Sequence, residues 1–352
     1  MNTSFQNALD LLKQMIARPS LSREENDLAG FLKNYLKDRK LSPFRSGNNL
    51  WLLSPEWDES KPVILLNSHI DTVKPVAGWT KDPFLPFEED GKLFGLGSND
   101  AGASVVSLLQ TFLILCKENK NNNFIFLASC EEEISGENGI KSVLPLLPAI
   151  DLAIVGEPTG MQPAIAEKGL MVLDGTVYGK SGHAARNEGE NAIYKAIPVI
   201  EWFRNKQFPK ISPLLGPVKM SVTQVQAGTQ HNVIPDICKF TVDVRTNEYY
   251  RNETLFEEIS ASCGCEIKAR SFHLNSSGIS TEHPLVKKTV ELGLTPFGSP
   301  TLSDQSLMNF SSLKIGPGQS QRSHTADEFI CLHEIENAIN LYVRLLSDFK
   351  LK

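Results

Sequence analysis

Residues 62–73, PVILLNSHIDTV, decide the fold class of this 352-residue chain. Their apolar run predicts a strand that is buried on both faces, as in a mostly parallel sheet. Side chains two residues apart on a strand share a face, so His69 and Asp71 should point together past its carboxyl end. Open α/β sheets place their ligand sites at that edge. The stretch alone leaves two interpretations open: an incidental hydrogen bond, or a metal-binding histidine whose partner carboxylate fixes its tautomer.

Composition and charge exclude several classes of protein. Hydrophobic residues make up 41% of the chain and charged residues 22%, and the net charge of −6 gives no sign of a nucleic-acid partner. The first twenty residues predict an amphipathic helix rather than a signal peptide, and no apolar run approaches the ~18 residues of a membrane span. Six cysteines are too few for a dense disulfide framework. We therefore expect a cytoplasmic protein with reduced thiols and no nucleic-acid or membrane partner.

The chain reads as two domains, one inserted into the other. Its length is beyond one ordinary core. A buried helix at 102–116 and strands at 124–129 and 151–156 follow the opening strand, and this alternation predicts a parallel-rich sheet. From residue 170 the order becomes βαββαβ, the ferredoxin-like unit. The elements of that unit are strand 170–179, helix 189–205, strands 218–227 and 237–245, helix 252–261 and strand 266–271.

These elements predict an α/β protein in which a three-layer domain with a parallel-rich central sheet is interrupted by a ferredoxin-like domain. Helices at 284–294 and 331–349 return to the first domain, so the predicted boundaries are 1–168 with 281–352 for the larger domain and 169–280 for the inserted one. Near the N-terminus, Ser22 and Glu25 have the spacing of a capping box that opens a helix.

Further candidate metal ligands stand at the ends of predicted elements. Asp100 precedes the buried helix, Glu131 to Glu133 follow strand 124–129, Glu157 follows strand 151–156, and His324 lies in a loop. Each carboxylate alone is more typical of a helix cap or a solvated surface. Helix capping does not explain why several apolar strands all end in potential metal ligands. Two histidines and three carboxylates suit two zinc ions with a position open to water, and one shared carboxylate would hold the ions about 3.5 to 4 Å apart.

A set of motifs, in order along almost the whole chain, carries a resemblance to a known family. The motifs are SHIDTV, GWTKDPFLPFEEDGKLFGLGSND, EEEISG, VGEPTG, GKSGHAA, HNVIPD, VDVR and GPGQSQRSHTADE. The chain resembles the two-zinc amidohydrolases that include aminoacylase, acetylornithine deacetylase and succinyl-diaminopimelate desuccinylase, and the acetylornithine deacetylases most. The sequence departs from the family at Leu96 and Gly102, where an Arg and a Lys are common.

The resemblance implies a residue-by-residue description of the metal site. His69, Asp100 and Glu157 would bind one zinc ion, and Asp100, Glu133 and His324 the other, so that Asp100 bridges the two. Cobalt could substitute for zinc. Glu132 would be the general base, and Asp71 would orient His69 from behind.

The resemblance also implies roles for the inserted domain. It would be a lid and a dimerisation domain, giving a homodimer, and the remainder would be the zinc-binding catalytic domain. His183 would stabilise the oxyanion, often from the partner subunit. The substrate's α-carboxylate would be held by Arg245, with help from Asn232 and from Gly316 and Gly318.

The implied activity is zinc-dependent hydrolysis of the amide bond of an N-acyl-L-amino acid, as in acetylornithine deacetylase and arginine biosynthesis. Acetyl and succinyl caps both stay open. A succinyl group would need a further cation, for which Lys168, Arg186 and Arg322 are candidates. Two other functions also stay open: a dipeptidase or aminopeptidase of the same family, and a dimeric binding protein without catalytic activity.

Overall fold

The computed structural model describes residues 3–119, 121–186 and 188–351. The helices are α1 (Thr3–Ile16), α2 (Asn26–Asp38), α3 (Ala103–Glu118), α4 (Ile140–Val143), α5 (Ala192–Asn205), α6 (Asn252–Ser262), α7 (Pro284–Glu291) and α8 (Leu332–Leu346). The strands are β1 (Phe44–Ser46), β2 (Asn49–Leu53), β3 (Val63–His69), β4 (Phe87–Glu89), β5 (Lys92–Phe94), β6 (Asn123–Ser129), β7 (Leu152–Val155), β8 (Ala164–Glu167), β9 (Gly169–Tyr178), β10 (Gly182–His183), β11 (Lys219–Ala227), β12 (Val233–Ile234), β13 (Ile237–Thr246), β14 (Glu266–Ala269), β15 (Ser277–Gly278), β16 (Phe297–Ser299), β17 (Ser311–Lys314) and β18 (Phe329–Cys331).

The chain divides into two compact units. Unit 1 contains the residues up to Ile165, the segment Gly278–Phe297 and the residues from Ser303 onward. Unit 2 contains Ala166–Ser277 and Gly298–Leu302.

Unit 1 is built on a mixed sheet in the order β1-β2-β6-β3-β7-β17-β8. Strand β3 is parallel to β6 and β7, and β17 is parallel to β7. Every residue of β3 and of β6 is buried, because both faces of the sheet are covered. Ile64 and Leu66 pack on the side of α1, α3 and α8, whereas Leu65 packs on the side of α4. The expected α/β class with a parallel-rich central layer is confirmed.

Unit 2 is an antiparallel sheet with two helices. The strands of this sheet lie in the order β11-β13-β9-β14. Numbered along the chain within the sheet, these are its second, third, first and fourth strands. This is the ferredoxin-like order expected from the βαββαβ pattern. Alternate residues of β9 and β13, among them Leu173 and Val242, are buried against Phe203 of α5 and Ile259 of α6.

Two parts of the sheet differ from the sequence-based expectation. The hairpin of β1 and β2 forms one edge, and β17 lies between β7 and β8, yet neither was predicted. Strand β17 has only four residues, Ser-Ser-Leu-Lys, of which Ser312, Leu313 and Lys314 are buried. Its own sequence has no strand pattern. It forms a strand because its backbone pairs with the neighbouring strands β7 and β8.

One segment of the described residues, Ser98–Glu118, is long and apolar enough to cross a membrane by length and composition. In the structure, 78% of the most apolar 18-residue stretch of this segment is buried, as in a core helix. The six cysteines are all free thiols, and the Sγ atoms of Cys263 and Cys265 are 3.8 Å apart.

Candidate metal centre

The candidate ligands of unit 1 meet because parallel strands end at one edge of the sheet. His69 is the last residue of β3, and Glu132 and Glu133 lie in a short 3₁₀ helix after β6. The register pairs His69 with Ser129 across β3 and β6. Glu157 lies two residues after the end of β7. The residue between them, Gly156, donates its backbone N–H to the backbone oxygen of Asn67 on β3 at 2.7 Å.

Asp100 lies between two histidines. Its Oδ1 is 3.2 Å from Nε2 of His69, and its Oδ2 is 3.6 Å from Nε2 of His324. Beside His324, Oε2 of Glu133 lies 3.0 Å from the histidine Nε2. Beside His69, Oε1 of Glu157 lies 3.8 Å from the histidine Nε2. The two oxygens of Asp100 are therefore directed toward different histidines, each of which has a second carboxylate beside it.

Glu132 also reaches this cluster. Its Oε2 is 3.9 Å from Nε2 of His69, and burial raises the pKa of Glu132 well above its usual range. The donor atoms form two overlapping groups that could each hold an ion, one of His69, Glu132 and Glu157 and the other of His69, Asp100 and Glu133. Distances alone thus do not separate a general base from a ligand at position 132.

The electrostatics of the cluster favour a bound cation. Burial raises the pKa of Glu157 to about 8, with a further contribution from the charge of Asp100. Burial raises the pKa of Glu133 as well, even though the hydrogen bond with His324 acts in the other direction. The pKa of His324 rises to about 9 because Glu133 accepts its hydrogen bond. Carboxylates that are crowded away from water hold protons unless a cation replaces them.

The residues present fit divalent metal ions. The donors are imidazole nitrogens and carboxylate oxygens, which suit zinc and similar ions. Within the described part of the chain, Oε1 of Glu157 is buried without a hydrogen-bond donor. A buried carboxylate oxygen without a donor is costly, and coordination to an ion would satisfy it.

Asp71 organises the site beyond its expected effect on His69. Nδ1 of His69 lies 2.9 Å from the backbone oxygen of Asp71 and 3.5 Å from its carboxylate. That carboxylate accepts hydrogen bonds from the backbone N–H groups of Glu132 at 2.9 Å and Glu133 at 3.1 Å. Asp71 therefore holds the histidine and the two glutamates in one arrangement.

The predicted capping box at Ser22 and Glu25 is wrong. Helix α2 begins at Asn26, and no side chain caps it. The Ser22 hydroxyl instead donates to Oδ2 of Asp71 at 2.7 Å. Glu25 is fully buried and accepts hydrogen bonds from Asn48 and from the backbone N–H of Glu131. Both residues support the site because tertiary partners outcompete the local cap.

Glu328 supports the segment that carries Asp100, and sequence analysis did not identify it. One of its oxygens accepts from the backbone N–H groups of Asn99 at 2.8 Å and Asp100 at 2.9 Å, and the other accepts from Gly97 at 3.1 Å. This carboxylate therefore fixes the loop that presents Asp100. Its position four residues after His324, in HTADE, was the only signal in the sequence.

The glycines at 102 and 316 have a steric explanation, whereas nothing in the structure explains the leucine at 96. A Cβ on Gly102 would lie 2.5 Å from the backbone oxygen of Gly97, so no lysine fits that backbone. Leu96 is buried and its backbone N–H bonds to Pro83. A Cβ on Gly316 would lie 2.5 Å from the backbone oxygen of Glu157, and Gly318 accepts from Gly160 at 2.6 Å. The glycine loop thus packs against the Glu157 segment, and its role toward substrate stays a prediction.

Within unit 2 the structure brings His183 and Asn232 together. Strands β10 and β12 pair His183 with Val233, and the N–H of Ala184 donates to the backbone oxygen of Asn232 at 3.0 Å. Nδ1 of the exposed His183 accepts a hydrogen bond of 3.1 Å from the N–H of Ala185. In the neutral ring the proton is then on Nε2, which makes this nitrogen a donor.

Arg245 already has a carboxylate partner in its own strand. Its Nε and Nη2 donate to the two oxygens of Asp243 at 2.8 and 3.0 Å. Strand β13 also pairs Arg245 with Lys219 of β11. A substrate carboxylate would therefore have to use the Nη1 edge of the guanidinium or displace Asp243.

Comparison with known proteins identifies the family. Residues 65–348 match the model of the peptidase family M20/M25/M40. The chain belongs to this family. The expected resemblance is confirmed, and with it the expectation that the protein is an enzyme that hydrolyses amide bonds.

Relatives within the M20 family resemble the chain over almost its whole length. A succinyl-diaminopimelate desuccinylase of Xylella fastidiosa is 26% identical, over 96% of this chain and 98% of the relative. A tripeptidase structure from Staphylococcus aureus has a TM-score of 0.81 at 18% identity and covers 97% of this chain and 98% of its own. A dinuclear metal binding peptidase of the M20 family from Bacillus subtilis has a TM-score of 0.74 at 18% identity, with 99% and 98% covered. At these identities the structures show a common fold.

Proposed function

We propose that the protein is a metal-dependent deacylase that hydrolyses the amide bond of an N-acyl-L-amino acid. The observation that carries the proposal is the position of Asp100, whose two oxygens are directed toward His69 and His324. Family membership supplies the reaction class. The choice of an acyl cap is supported by the relative from Xylella fastidiosa, whose name describes removal of a succinyl group.

In this proposal the ligands divide as the family resemblance implies. His69, Asp100 and Glu157 would hold one zinc ion, and Asp100, Glu133 and His324 would hold the other, with cobalt as the substitute. Zinc held there would supply a Lewis acid that polarises the scissile carbonyl and lowers the pKa of water. His69 is held in one orientation by Asp71, whose backbone oxygen is 2.9 Å from its Nδ1.

Glu132 acts as the general base in this mechanism. It takes a proton from the attacking water and returns it to the departing amine. Burial raises the pKa of Glu132, which suits a group that must hold a proton during the reaction. Asp71 fixes the backbone of Glu132 through a hydrogen bond of 2.9 Å, so the base is oriented by the same residue that orients His69.

Unit 2 supplies substrate contacts in the proposal and serves as lid and dimerisation domain. His183 donates from Nε2 to the oxyanion, an interaction that is strongest in the transition state. Arg245 binds the α-carboxylate through the Nη1 edge of its guanidinium, since its Nε and Nη2 already donate to Asp243. Asn232, which shares the two-stranded sheet of His183, and the loop of Gly316 and Gly318 assist it.

The acyl cap and the amino acid define the finer proposal. An acetylornithine-like substrate and a place in arginine biosynthesis follow from the resemblance, whereas the name of the Xylella fastidiosa relative favours a succinyl cap. Arg322 is a poor partner for a succinyl group, since it donates to both oxygens of Glu334. Lys168 is the better candidate: burial lowers its pKa, as do the neighbouring charges of Lys219 and Arg245, and an anion would relieve that repulsion.

A matched pair of substrates tests the proposal against a peptidase. N-acetyl and glycyl derivatives of one amino acid share the scissile amide and differ by an amine on the acyl group. We expect kcat/KM for the acetyl compound to exceed that for the glycyl compound by at least about tenfold, because an ammonium without a dedicated partner is costly to desolvate. The reverse preference, measured by release of the common amino acid, would establish the peptidase instead.

Mixed dimers test the role of His183. Helix α5 exposes Ile193, Tyr194 and Ile197, and β11 is an edge strand, which supports a dimer through unit 2. If His183 acts across that dimer, His183→Ala and Glu132→Ala subunits are each inactive but form some mixed dimers with one intact site. Co-refolding the two should restore part of the activity, whereas refolding either alone should not. Mixed dimers that form without activity would exclude action of His183 across the dimer.

A further inference from the structure

A buried carboxylate, Asp304, lies at the same edge of the sheet as the candidate ligands but is not one of them. It opens the short 3₁₀ helix Asp304–Leu307, which precedes β17. Its side chain is 4% exposed. Oδ2 accepts hydrogen bonds from Nδ2 of Asn67 at 2.8 Å and from the hydroxyl of Ser129 at 2.7 Å.

These two donors belong to the strands that present the site. Asn67 precedes His69 by two residues on β3, and Ser129 is the last residue of β6, three residues before Glu132. Asp304 therefore joins the ends of β3 and β6 from a segment that is distant in sequence. The side chains of Asn67 and Ser129 are uncharged donors, and both donate to the same oxygen of Asp304. A neutral residue with one acceptor oxygen could therefore form both hydrogen bonds.

The charge of Asp304 thus calls for a separate explanation. Burying a carboxylate against neutral donors costs free energy that an asparagine in its place would avoid. Burial raises the pKa of Asp304 to about 6, so the group is ionised at pH 8. Among the charged groups that act on it most are His69 at the end of β3 and Asp71 just after it, and Asp304 itself acts on Glu132. Lys314 on β17 and Lys141 on α4 belong to the other elements packed against this helix, and Lys141 pairs with Glu137.

We infer that Asp304 is a positioning residue of the metal centre, a buried anion behind His69 and Glu132 that increases the affinity of the site for divalent cations. The inference rests on the metal site of the proposed function but not on the identity of its substrate. A negative charge close to bound ions in a water-excluded region stabilises them without coordinating them.

The test separates the charge from the hydrogen bonds. Asp304→Asn removes the charge and can keep both hydrogen bonds through its amide oxygen, whereas Ser129→Ala removes one hydrogen bond and keeps the charge. Full-length wild-type protein and both variants are freed of metal by a chelator and titrated with Co²⁺ at pH 8, with visible absorbance as the readout and thermal unfolding as the control of folding. Asp304→Thr, which is neutral but offers an acceptor, replaces the asparagine variant if that variant does not fold.

We expect Asp304→Asn to weaken Co²⁺ binding by about tenfold or more, the usual scale for residues behind metal ligands, without loss of thermal stability in the metal-free state. Ser129→Ala should lower thermal stability and leave the Co²⁺ affinity unchanged. Equal affinities of Asp304→Asn and wild type, or equal weakening in both variants, would overturn the inference. A wild-type protein that binds no Co²⁺ would overturn it together with the metal centre, whereas normal Co²⁺ binding without cleavage of N-acyl amino acids would overturn only the proposed substrate.

Discussion

Glu132→Ala is expected to lower kcat by at least about 10²-fold while the protein keeps its metal, because in the proposed mechanism Glu132 is the general base and not a ligand. Glu133→Ala should lose bound metal together with activity. Elemental analysis of each purified variant, measured beside its turnover, distinguishes the two outcomes. The comparison is sharp because both side chains lie in one short helix, whose backbone is fixed by the carboxylate of Asp71.

Glu137→Ala provides a matched control for this pair. Glu137 follows in the same segment, but its side chain is exposed and pairs with Lys141 at the surface. Its replacement should change neither metal content nor kcat. Equal metal loss in Glu132→Ala and Glu133→Ala would mean that Glu132 is a ligand, as its distance of 3.9 Å from His69 allows.

Amidation of the substrate's α-carboxylate is expected to lower kcat/KM by well over about 10²-fold, since in the proposed complex the amide cannot accept the charge-assisted hydrogen bonds that Arg245 would donate to the carboxylate in addition to those it donates to Asp243. Arg245→Lys should also be damaging, because an ammonium cannot reproduce the planar pair of hydrogen bonds. Steady-state kinetics on the free acid and its amide, with wild type and variant, measure both effects. The two losses should not add, since each removes the same interaction.

Arg270→Lys is the control for Arg245→Lys. Arg270 donates to both oxygens of Asp174 at 2.9 and 2.8 Å, in the geometry that Arg245 adopts with Asp243. It belongs to the same unit but has no predicted contact with substrate. An amide hydrolysed as fast as the free acid, or equal losses in the two arginine variants, would refute this account of specificity and leave the metal chemistry unaffected.

The parts of the fold that were predictable are those whose residues carry their own pattern. Strands β3 and β6 are continuous apolar runs because both faces are covered, and the alternating burial of β9 and β13 marks a sheet with one covered face. Strand β17 could not be recognised, because its four residues include two serines and a lysine. Its place in the sheet is decided by its neighbours.

The candidate site divides in the same way. Histidines and carboxylates at the ends of strands could be found from sequence, since motifs record their spacing along the chain. Their supporting residues could not, because the contacts join distant segments: Ser22 lies 49 residues from Asp71, Glu328 lies 228 residues from Asp100, and Asp304 lies 237 residues from Asn67. In the case of Ser22 and Glu25, a familiar local motif suggested the wrong partner.

The most direct test of the account is a metal titration of the wild-type protein. Metal is removed by chelation, and zinc or cobalt is added back while bound ions are counted by elemental analysis and hydrolysis of an N-acyl amino acid is measured. The account predicts no hydrolysis by the metal-free protein and a recovery that is complete when two ions are bound per chain, because in the proposed site His69, Asp100, Glu133, Glu157 and His324 would provide ligands for two ions. Full activity in protein shown to contain no metal would contradict it.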